Sequence, residues 1–405
     1  MITPKPYTWV ELNSAAFEHN VHWYKNRIGV NTLLAAVIKS NGYGHGLIEM
    51  GLLCEQSKVV DWICTATLSE AIALRANSVT KPIVVLSIID EDPTLAAKHA
   101  IAVPVFDMHT AYQLNESGKK IHSKIMVHVK IDTGMSRYGF MCEEAVEAIR
   151  EIQKLPYITI QGIFTSCAQA GSVDQSFTMH QLTQFDDLCA LLEKNNIHIP
   201  IRHATNSAAT SNFVTQFPRF NLARIGAGIY GLGHMAQSLE LTQPNIIPIM
   251  QWKTRVSHIK HIQAGDYVGY DRTFQATRNT TLAVVPIGYQ DGYDRRMSNK
   301  GIVFINNEYY APVVGRICMN ATIIAIPEGK AVSIGDEVML LGDKPNLRAH
   351  EIATMIESFN AREITTRLSP SIERKITQQQ DSIVSGISHL LPENYNSDTL
   401  KKHTF

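Results

Sequence analysis

The sequence predicts a TIM (β/α)8 barrel of the α/β class, followed by a smaller all-β domain. About eight short apolar runs between residues 30 and 230 alternate with longer helical stretches, which is typical of parallel strands buried on both faces. After about residue 245 the helical stretches give way to short strands separated by turn residues, as at Gly265–Asp266. A doubly wound sheet would produce a similar alternation in the first part, so it is the alternative there.

We assign residues 1–245 to the barrel, 246–393 to the β domain and 394–405 to a loose polar tail. The candidate strands of the barrel are Leu33–Lys39, Val59–Ala66, Pro82–Ile88, Ala100–Phe106, Lys124–Asp132, Ile158–Thr165, Ile199–Thr205 and Leu222–Ile225. The clearest helices are 12–28, Cys142–Lys154 and Ser176–Asn195. The candidate strands of the β domain are Ile262–Val268, Thr281–Ile287, Ile302–Ile305, Ala311–Val314, Ala321–Ala325 and Glu337–Leu341.

The composition argues against several classes of function. The 405 residues include 37 Lys and Arg and 37 Asp and Glu, and this balance argues against nucleic-acid binding and polybasic membrane binding. No apolar run approaches the roughly 18 residues of a membrane span, and the first residues do not resemble a signal peptide, so we expect a cytoplasmic protein. The six cysteines form no CxxC pair and no zinc-like spacing, so we expect reduced thiols and no metal site.

A lysine stands at the end of the first candidate strand, in the run Ala35–Gly46 (AAVIKSNGYGHG). The active sites of barrel enzymes form at the carboxyl ends of the strands, which is where Lys39 lies. Burial there disfavours the ammonium form and lowers the pKa, as a lysine that forms a Schiff base requires. The glycines that follow Lys39 allow the backbone to approach a ligand closely.

Further motifs follow the lysine in the order of a known family. They are Val129–Phe140 (VKIDTGMSRYGF), His203–Ser207 (HATNS), Ala223–Gly231 (ARIGAGIYG), Gly265–Phe274 (GDYVGYDRTF), Pro286–Tyr293 (PIGYQDGY) and Gly315–Asn320 (GRICMN). With the lysine motif, they resemble the alanine racemase family, whose members bind pyridoxal 5'-phosphate and consist of a barrel and a C-terminal β domain. The resemblance extends from about Tyr7 to Arg374 and implies the cofactor and the residue roles given below.

The resemblance implies two catalytic bases, Lys39 and Tyr270. Racemisation removes the α-proton from one face of the amino acid and returns it to the other face, so two bases on opposite faces suit the reaction. In this family the tyrosine comes from the partner subunit, which implies a homodimer with shared sites. An unperturbed tyrosine has a pKa of about 10, so its surroundings must activate it.

The cofactor site implied by the resemblance contains Lys39 and residues of the last two barrel strands. Ser207, Gly226 and Ala227 would bind the phosphate, with Tyr43 completing the cup. A phosphate site after strands 7 and 8 is also what the barrel fold favours. Arg224 would face the pyridine nitrogen, and because arginine keeps its proton, that nitrogen would stay unprotonated.

Four more residues take roles from the resemblance. Arg137 and Met319 would bind the substrate carboxylate, with the guanidinium fork of Arg137 also orienting the cofactor phenolate. Tyr289 would narrow the entrance. Lys130 matches a family lysine that can be carbamylated, and a plain ion pair is the alternative for it.

Three positions depart from the family pattern: Ser166 replaces a histidine that contacts the catalytic tyrosine, Asn320 replaces an aspartate, and Pro370 replaces a pocket tyrosine. We predict an alanine racemase that supplies D-alanine for peptidoglycan. Because of the departures, the first alternative is a broader racemase acting on serine or lysine. A barrel decarboxylase, which would need Cys318 as its acid, and a non-catalytic cofactor-binding protein are the other two.

Overall fold

The computed structural model describes residues 6–213, 216–232, 246–358 and 360–378. The strands are β1 (Thr8–Asn13), β2 (Leu33–Val37), β3 (Trp62–Thr67), β4 (Ile83–Ile88), β5 (Ile101–Val105), β6 (Ile125–Asp132), β7 (Phe140–Met141), β8 (Ile158–Phe164), β9 (Ile201–His203), β10 (Leu222–Ile225), β11 (Met250–Arg255), β12 (His258–Ile262), β13 (Tyr267–Val268), β14 (Phe274–Gln275), β15 (Thr280–Val285), β16 (Ile302–Ile305), β17 (Tyr309–Pro312), β18 (Thr322–Ala325), β19 (Glu337–Leu341) and β20 (Glu373–Thr377). The helices are α1 (Ser14–Ile28), α2 (Lys39–Tyr43), α3 (Leu47–Gln56), α4 (Leu68–Ala76), α5 (Thr94–Lys98), α6 (Met108–Lys120), α7 (Cys142–Gln153), α8 (Ser176–Lys194), α9 (Ser207–Phe213), α10 (Ala349–Met355) and α11 (Ala361–Thr366).

Eight parallel strands form the predicted barrel, in the order β10-β2-β3-β4-β5-β6-β8-β9. Each predicted barrel strand overlaps one observed strand. The two end strands are joined by backbone hydrogen bonds, from Asn221 N to Arg202 O (3.1 Å) and from Arg224 N to Thr205 O (3.1 Å). The barrel is therefore nearly closed, and the predicted fold class is confirmed.

Helix α1 shows how the local sequence positions the outer layer of the barrel. The Asn13 side chain caps the helix by accepting a hydrogen bond from Ala16 N at 3.0 Å. Buried residues follow at helical spacing, including Phe17, Val21 and Tyr24. These side chains join the large apolar core between the helices and the barrel strands.

The C-terminal domain is built around a six-stranded sheet with the order β17-β16-β19-β11-β1-β20. Strand β1, which our division of the chain counted with the barrel, pairs antiparallel with β11 and parallel with β20. A second sheet contains β12, β15 and β18, and β13 pairs with β14 as a short hairpin. The barrel therefore begins only at α1, because the first strand is an element of the C-terminal sheet.

One predicted strand of this domain was wrong. The segment Ile262–Val268 divides into the end of β12 and the short β13. Between them, Gly265 has a φ of +93°, a left-handed conformation that ends an extended run. The domain limits at 245 and 393 and the loose tail 394–405 lie outside the described residues and stay predictions.

The described residues contain neither a membrane-spanning helix nor a metal-binding cluster. No helix among them has the length and apolar character to cross a membrane. Within the same ranges, no group of three or more His, Cys, Asp or Glu side chains has a metal-binding arrangement.

Candidate active site

Lys39 follows β2 at the carboxyl end of the barrel, and the backbone after it has an unusual conformation. Ser40, Asn41 and Tyr43 have φ values of 56°, 53° and 54°, in the left-handed region that residues with side chains seldom adopt. Each such residue costs on the order of 1 kcal/mol, and conformations of this kind cluster at functional sites. The Asn41 side chain helps to hold this turn, because its Oδ1 atom accepts from Leu47 N at 2.9 Å.

The surroundings of Lys39 favour its neutral amine. Burial is the largest cause that lowers the pKa of Lys39, and the positive charge of Arg137 follows. The charges of Arg224 and Arg362 lower the pKa further, whereas Glu70 raises it. Glu70 is itself bound to the backbone, since its two oxygens accept from Ser40 N at 2.6 Å and Ala66 N at 2.9 Å.

The C-terminal domain packs directly against the lysine turn. A Cβ atom on Gly44, whose φ is +84°, would lie 1.9 Å from the Thr365 carbonyl oxygen of α11. The Arg374 guanidinium donates to the Gly44 carbonyl oxygen through Nη2 at 3.0 Å and through Nε at 3.3 Å. The two domains of one chain therefore form this side of the site together.

The residues predicted to bind a phosphate lie together at the ends of β9 and β10. The Ser207 hydroxyl accepts hydrogen bonds from Gly226 N at 3.0 Å and from Gly228 N at 3.3 Å. The Tyr43 hydroxyl lies 2.7 Å from the point where a Cβ on Gly226 would stand. Ala227 follows directly and is buried. Only glycine at position 226 leaves this cradle open.

Arg224 is buried and almost fully engaged. Its Nη1 atom contacts His203 Nδ1 at 2.9 Å, and its Nη2 atom donates to the Thr165 carbonyl oxygen at 2.7 Å. His203 in turn contacts His128 through a 2.8 Å contact between Nε2 and Nδ1. Among the described residues, the Arg224 Nε atom has no acceptor, so one donor of this fixed cation is left for a ligand.

Lys130 lies beside this arginine inside the barrel. Its Nζ atom donates to Ser166 Oγ at 2.8 Å and lies 4.7 Å from the centre of the Phe164 ring. Burial lowers the pKa of Lys130 well below its usual value, and Arg224 and then Arg137 lower it further. Lys130 forms no ion pair with a carboxylate in the described part of the chain, so the plain ion pair expected as an alternative is absent there.

Arg137 lies in the loop after β6 and is exposed. The loop is organised by the Asp132 carboxylate, whose Oδ2 atom accepts from Arg137 N at 3.1 Å and whose Oδ1 atom accepts from Gly134 N at 2.8 Å. These backbone hydrogen bonds lower the pKa of Asp132 against the effect of its burial. The Arg137 guanidinium makes no ion pair within the described ranges, which leaves its fork available to an anion.

The predicted residues of the β domain lie on its surface. Tyr270, Tyr289 and Met319 are 67%, 42% and 53% exposed. The loops of the last two are joined, because Tyr289 N donates to the Cys318 carbonyl oxygen at 3.1 Å and Gln290 N to that of Met319 at 3.1 Å. Tyr270 forms no hydrogen bond among the described residues, and it is not among the groups that act on Lys39. Within one chain, the structure does not bring the two predicted bases together.

The three departures from the family pattern occupy different surroundings. Ser166 accepts the hydrogen bond from Lys130, Asn320 donates to Gln290 Oε1 at 2.8 Å, and Pro370 is exposed. Sequence reasoning missed Arg362, Glu70 and Arg374, which all lie around the lysine turn. Arg362 and Arg374 are more than 300 residues from Lys39 in the chain, and no spacing rule connects them to it.

The geometry fits pyridoxal 5'-phosphate in three respects. The open cradle at Gly226, with the Ser207 and Tyr43 hydroxyls beside it, suits a phosphate. The lowered pKa of Lys39 favours the neutral amine that bonds to an aldehyde, and Arg224 offers a spare donor for the ring.

Comparisons with known proteins agree across the chain. The sequence model for the alanine racemase N-terminal domain matches residues 12–234, and that for the alanine racemase C-terminal domain matches residues 249–376. The alanine racemase of Clostridium tetani is 33% identical over 371 residues, which are 90% of this chain and 94% of that protein. The alanine racemase of Methanococcus maripaludis is 33% identical over 338 residues, covering 82% and 88%.

Solved structures show the same likeness. The alanine racemase of Clostridium difficile 630 superimposes with a TM-score of 0.87 and 33% identity, over 93% of this chain and 97% of that one. The alanine racemase of a D-cycloserine-producing Streptomyces lavendulae gives a TM-score of 0.85 at 27% identity, over 93% and 98%. Both domains, and not the barrel alone, are therefore shared with these proteins.

Proposed function

Because the chain belongs to the alanine racemase family, we propose that it interconverts L-alanine and D-alanine with pyridoxal 5'-phosphate as cofactor. The observation that carries the proposal is the half-buried Lys39 at the carboxyl end of the first barrel strand, with a lowered pKa and Arg137 and Arg224 nearby. The two matched domains support it, because a protein that only bound the cofactor would not need the β domain.

The chain offers one set of residues for each part of the cofactor. Ser207, Gly226, Ala227 and Tyr43 bind the phosphate, and the spare donor of Arg224 faces the ring nitrogen. When bound, the cofactor supplies an electrophilic carbon for the amino group and a conjugated ring that makes the α-proton acidic. Arg224 donates without giving up its proton, so it limits how much negative charge the ring accepts.

Lys39 holds the proton on one face of the substrate. Its lowered pKa favours the neutral amine, which can take up the α-proton, and the nearby Glu70 stabilises the resulting ammonium. Arg137 binds the substrate carboxylate with its free guanidinium fork. Met319 contributes to the same carboxylate site, and Tyr289 narrows the entrance.

Tyr270 serves the opposite face from the partner subunit of a homodimer. The support is its exposure: a tyrosine that is 67% exposed in one chain is free to project into a neighbouring molecule. Tyr289 and Met319, exposed on the same domain, reach the partner's site in the same way. The product, D-alanine, then supplies peptidoglycan synthesis in the cytoplasm.

Lys130 is carbamylated in this proposal. Its pKa is lowered by burial, so the neutral amine is available to attack carbon dioxide. The nitrogen–carbon bond forms, the nitrogen loses a proton, and the resulting carbamate carries a negative charge. That charge adds to the negative charge of Asp132 in offsetting the nearby Arg224 and Arg137, which both lower the pKa of Lys130.

The test is conversion of each enantiomer of alanine by the purified protein with added cofactor, followed by chiral chromatography. Both enantiomers should reach the same mixture, and Lys39→Ala should convert neither while remaining folded. Release of carbon dioxide from an amino acid would instead indicate a decarboxylase. Cofactor binding without any conversion would indicate the non-catalytic alternative.

A further inference from the structure

Arg362 is a cation at the lysine turn that the proposed reaction does not use. It lies in the first turn of α11, the helix whose Thr365 carbonyl oxygen packs against Gly44. Its Nε atom donates to Asn360 Oδ1 at 2.7 Å, which fixes the base of the guanidinium. Among the described residues, its two Nη atoms have no acceptor, and the residue is exposed.

Arg362 lies on a helix that packs against the lysine turn, so its charge acts near the site. Its positive charge acts on both Lys39 and Tyr43, so it lies within electrostatic range of the reactive amine and of the predicted phosphate cup. Burial raises the pKa of the Tyr43 hydroxyl, and Arg362 opposes that rise. The contact of α11 with Gly44 holds the helix, and with it Arg362, against the turn that carries Lys39.

The three arginines around Lys39 do not all have assigned partners. In the proposed function, Arg137 takes the substrate α-carboxylate and Arg224 takes the ring nitrogen. Glu70, the nearby carboxylate that acts on Lys39, is engaged by two backbone N–H groups. Among the described residues, Arg362 therefore remains a guanidinium without an ion-pair partner near Lys39, and such a group attracts carboxylates and repels ammonium groups.

We propose that Arg362 is a specificity-determining residue that binds the side-chain carboxylate of a dicarboxylic amino acid. The protein then accepts aspartate or glutamate in addition to alanine and discriminates against lysine, whose side-chain ammonium carries the same charge as Arg362. This inference rests on the proposed racemase function. It differs from the broader racemase acting on serine or lysine, because the added group selects by charge and not by size.

The main test compares kcat/KM for glutamate, aspartate, alanine and lysine in the wild type and in Arg362→Gln. Loss of the cation should lower the ratio of kcat/KM for glutamate to kcat/KM for alanine by about tenfold or more, as expected for loss of a charge-assisted contact. Arg362→Glu should lower that ratio further and raise the ratio of lysine to alanine. Arg362→Lys, which keeps the charge, should retain part of the wild-type ratio.

Arg367→Gln is the matched control. Arg367 follows the same helix but already pairs with Asp294, at 2.8 Å between Nη1 and Oδ2. The Arg367→Gln variant also removes one positive charge from this segment, but that charge is already paired. Its ratio of kcat/KM for glutamate to kcat/KM for alanine should therefore match that of the wild type. An equal drop in both variants would overturn the proposal, because the effect would then reflect overall charge.

A binding measurement separates the substrate from the cofactor phosphate. Calorimetric titration of the cofactor-loaded protein with glutarate, which lacks an amino group, should show weaker binding in Arg362→Gln than in the wild type. The affinity for pyridoxal 5'-phosphate, titrated into the cofactor-free protein, should change little. A large loss of cofactor affinity with an unchanged glutarate affinity would assign Arg362 to the phosphate and overturn the proposal.

The two proposals fail in different ways. If the wild type converts alanine but neither dicarboxylic amino acid, this inference alone is wrong. If the wild type converts no amino acid, the proposed function is wrong, while the glutarate titration still reports on the anion-binding role of Arg362.

Discussion

Lys130, on β6, donates a hydrogen bond to Ser166, which follows the neighbouring strand β8. The distance between Lys130 Nζ and Ser166 Oγ is 2.8 Å. The usual family residue at position 166 is a histidine, which would contact the catalytic tyrosine. In this chain the hydroxyl is engaged by a buried lysine instead, so its first role is to satisfy that amine. In the proposed function, Tyr270 then receives its activation from other groups.

The first prediction concerns this pair. Ser166→Ala leaves the buried Lys130 Nζ without an acceptor, whether it is an amine or the N–H of the proposed carbamate, and it should lower the free energy of unfolding by about 1–3 kcal/mol. When Lys130→Met is already present, adding Ser166→Ala should lower the free energy of unfolding much less, because the lysine nitrogen is gone. Urea denaturation of the two single variants and the double variant measures the difference. Strictly additive effects would show that the two side chains do not interact in solution.

The second prediction concerns the contact between the domains at Gly44. Gly44→Ala should destabilise the protein by more than about 2 kcal/mol and weaken cofactor binding, because the new Cβ would press on the Thr365 carbonyl and force α11 from the lysine turn. Gly329→Ala is the control, since Gly329 has a similar φ of +78° and nothing within 4 Å of the added atom. Thermal unfolding and cofactor titration of both variants test this. Equal losses would assign the effect to backbone strain alone.

The third prediction concerns acid stability. Burial lowers the pKa of His45 to about 3 and that of His128 to about 4 in the folded protein, whereas an unfolded histidine titrates at about 6.5. The unfolded chain therefore binds more protons below pH 6.5, and the free energy of unfolding should fall by up to about 1.4 kcal/mol per pH unit for each histidine. For His45 the fall continues toward pH 3, and above pH 7 the two groups contribute no dependence.

Urea denaturation between pH 7 and pH 5 measures that slope. His45→Asn keeps a donor for the Tyr43 carbonyl, which the His45 ring contacts at 3.2 Å, but it does not titrate. Its slope should be smaller than that of the wild type by the contribution of one histidine. An unchanged slope would mean that His45 is not the neutral buried group described here.

The fourth prediction tests whether Tyr270 acts from a partner subunit. Lys39→Ala and Tyr270→Phe should each be nearly inactive alone. In a mixed dimer one site combines the intact Lys39 of one chain with the intact Tyr270 of the other, so an equal mixture should regain about a quarter of wild-type activity. Native mass spectrometry confirms that subunits exchange. Exchange without recovery would place both bases in the same chain.

The barrel was predictable from sequence because its signal is local. Each buried strand is a short apolar run followed by a helix, and all eight predicted strands overlap observed ones. Strands β1 and β20 were not predicted, because β1 pairs with β11 and with β20, which lie more than 230 and more than 350 positions away in the chain. Pairing over such distances depends on the tertiary fold and not on local periodicity.

The residues of the site also divide into those that local motifs predicted and those that depend on the tertiary fold. The motif residues Lys39, Ser207, Gly226 and Arg224 were predicted, and the structure brings them to one end of the barrel. Arg362 was not predicted, because nothing in the local sequence distinguishes an arginine two residues after the helix-capping Asn360. Its meaning depends on the packing of α11 against the lysine turn, which only the tertiary structure reveals.

The most direct test of the central claim is exchange of the α-proton of alanine in deuterated buffer, followed by NMR for each enantiomer. The wild type should incorporate deuterium and invert both enantiomers, and Tyr270→Phe should slow exchange chiefly from L-alanine, because Lys39 still serves the other face. Equal slowing from both enantiomers would contradict two bases with separate faces. No exchange in the wild type with bound cofactor would contradict the racemase itself.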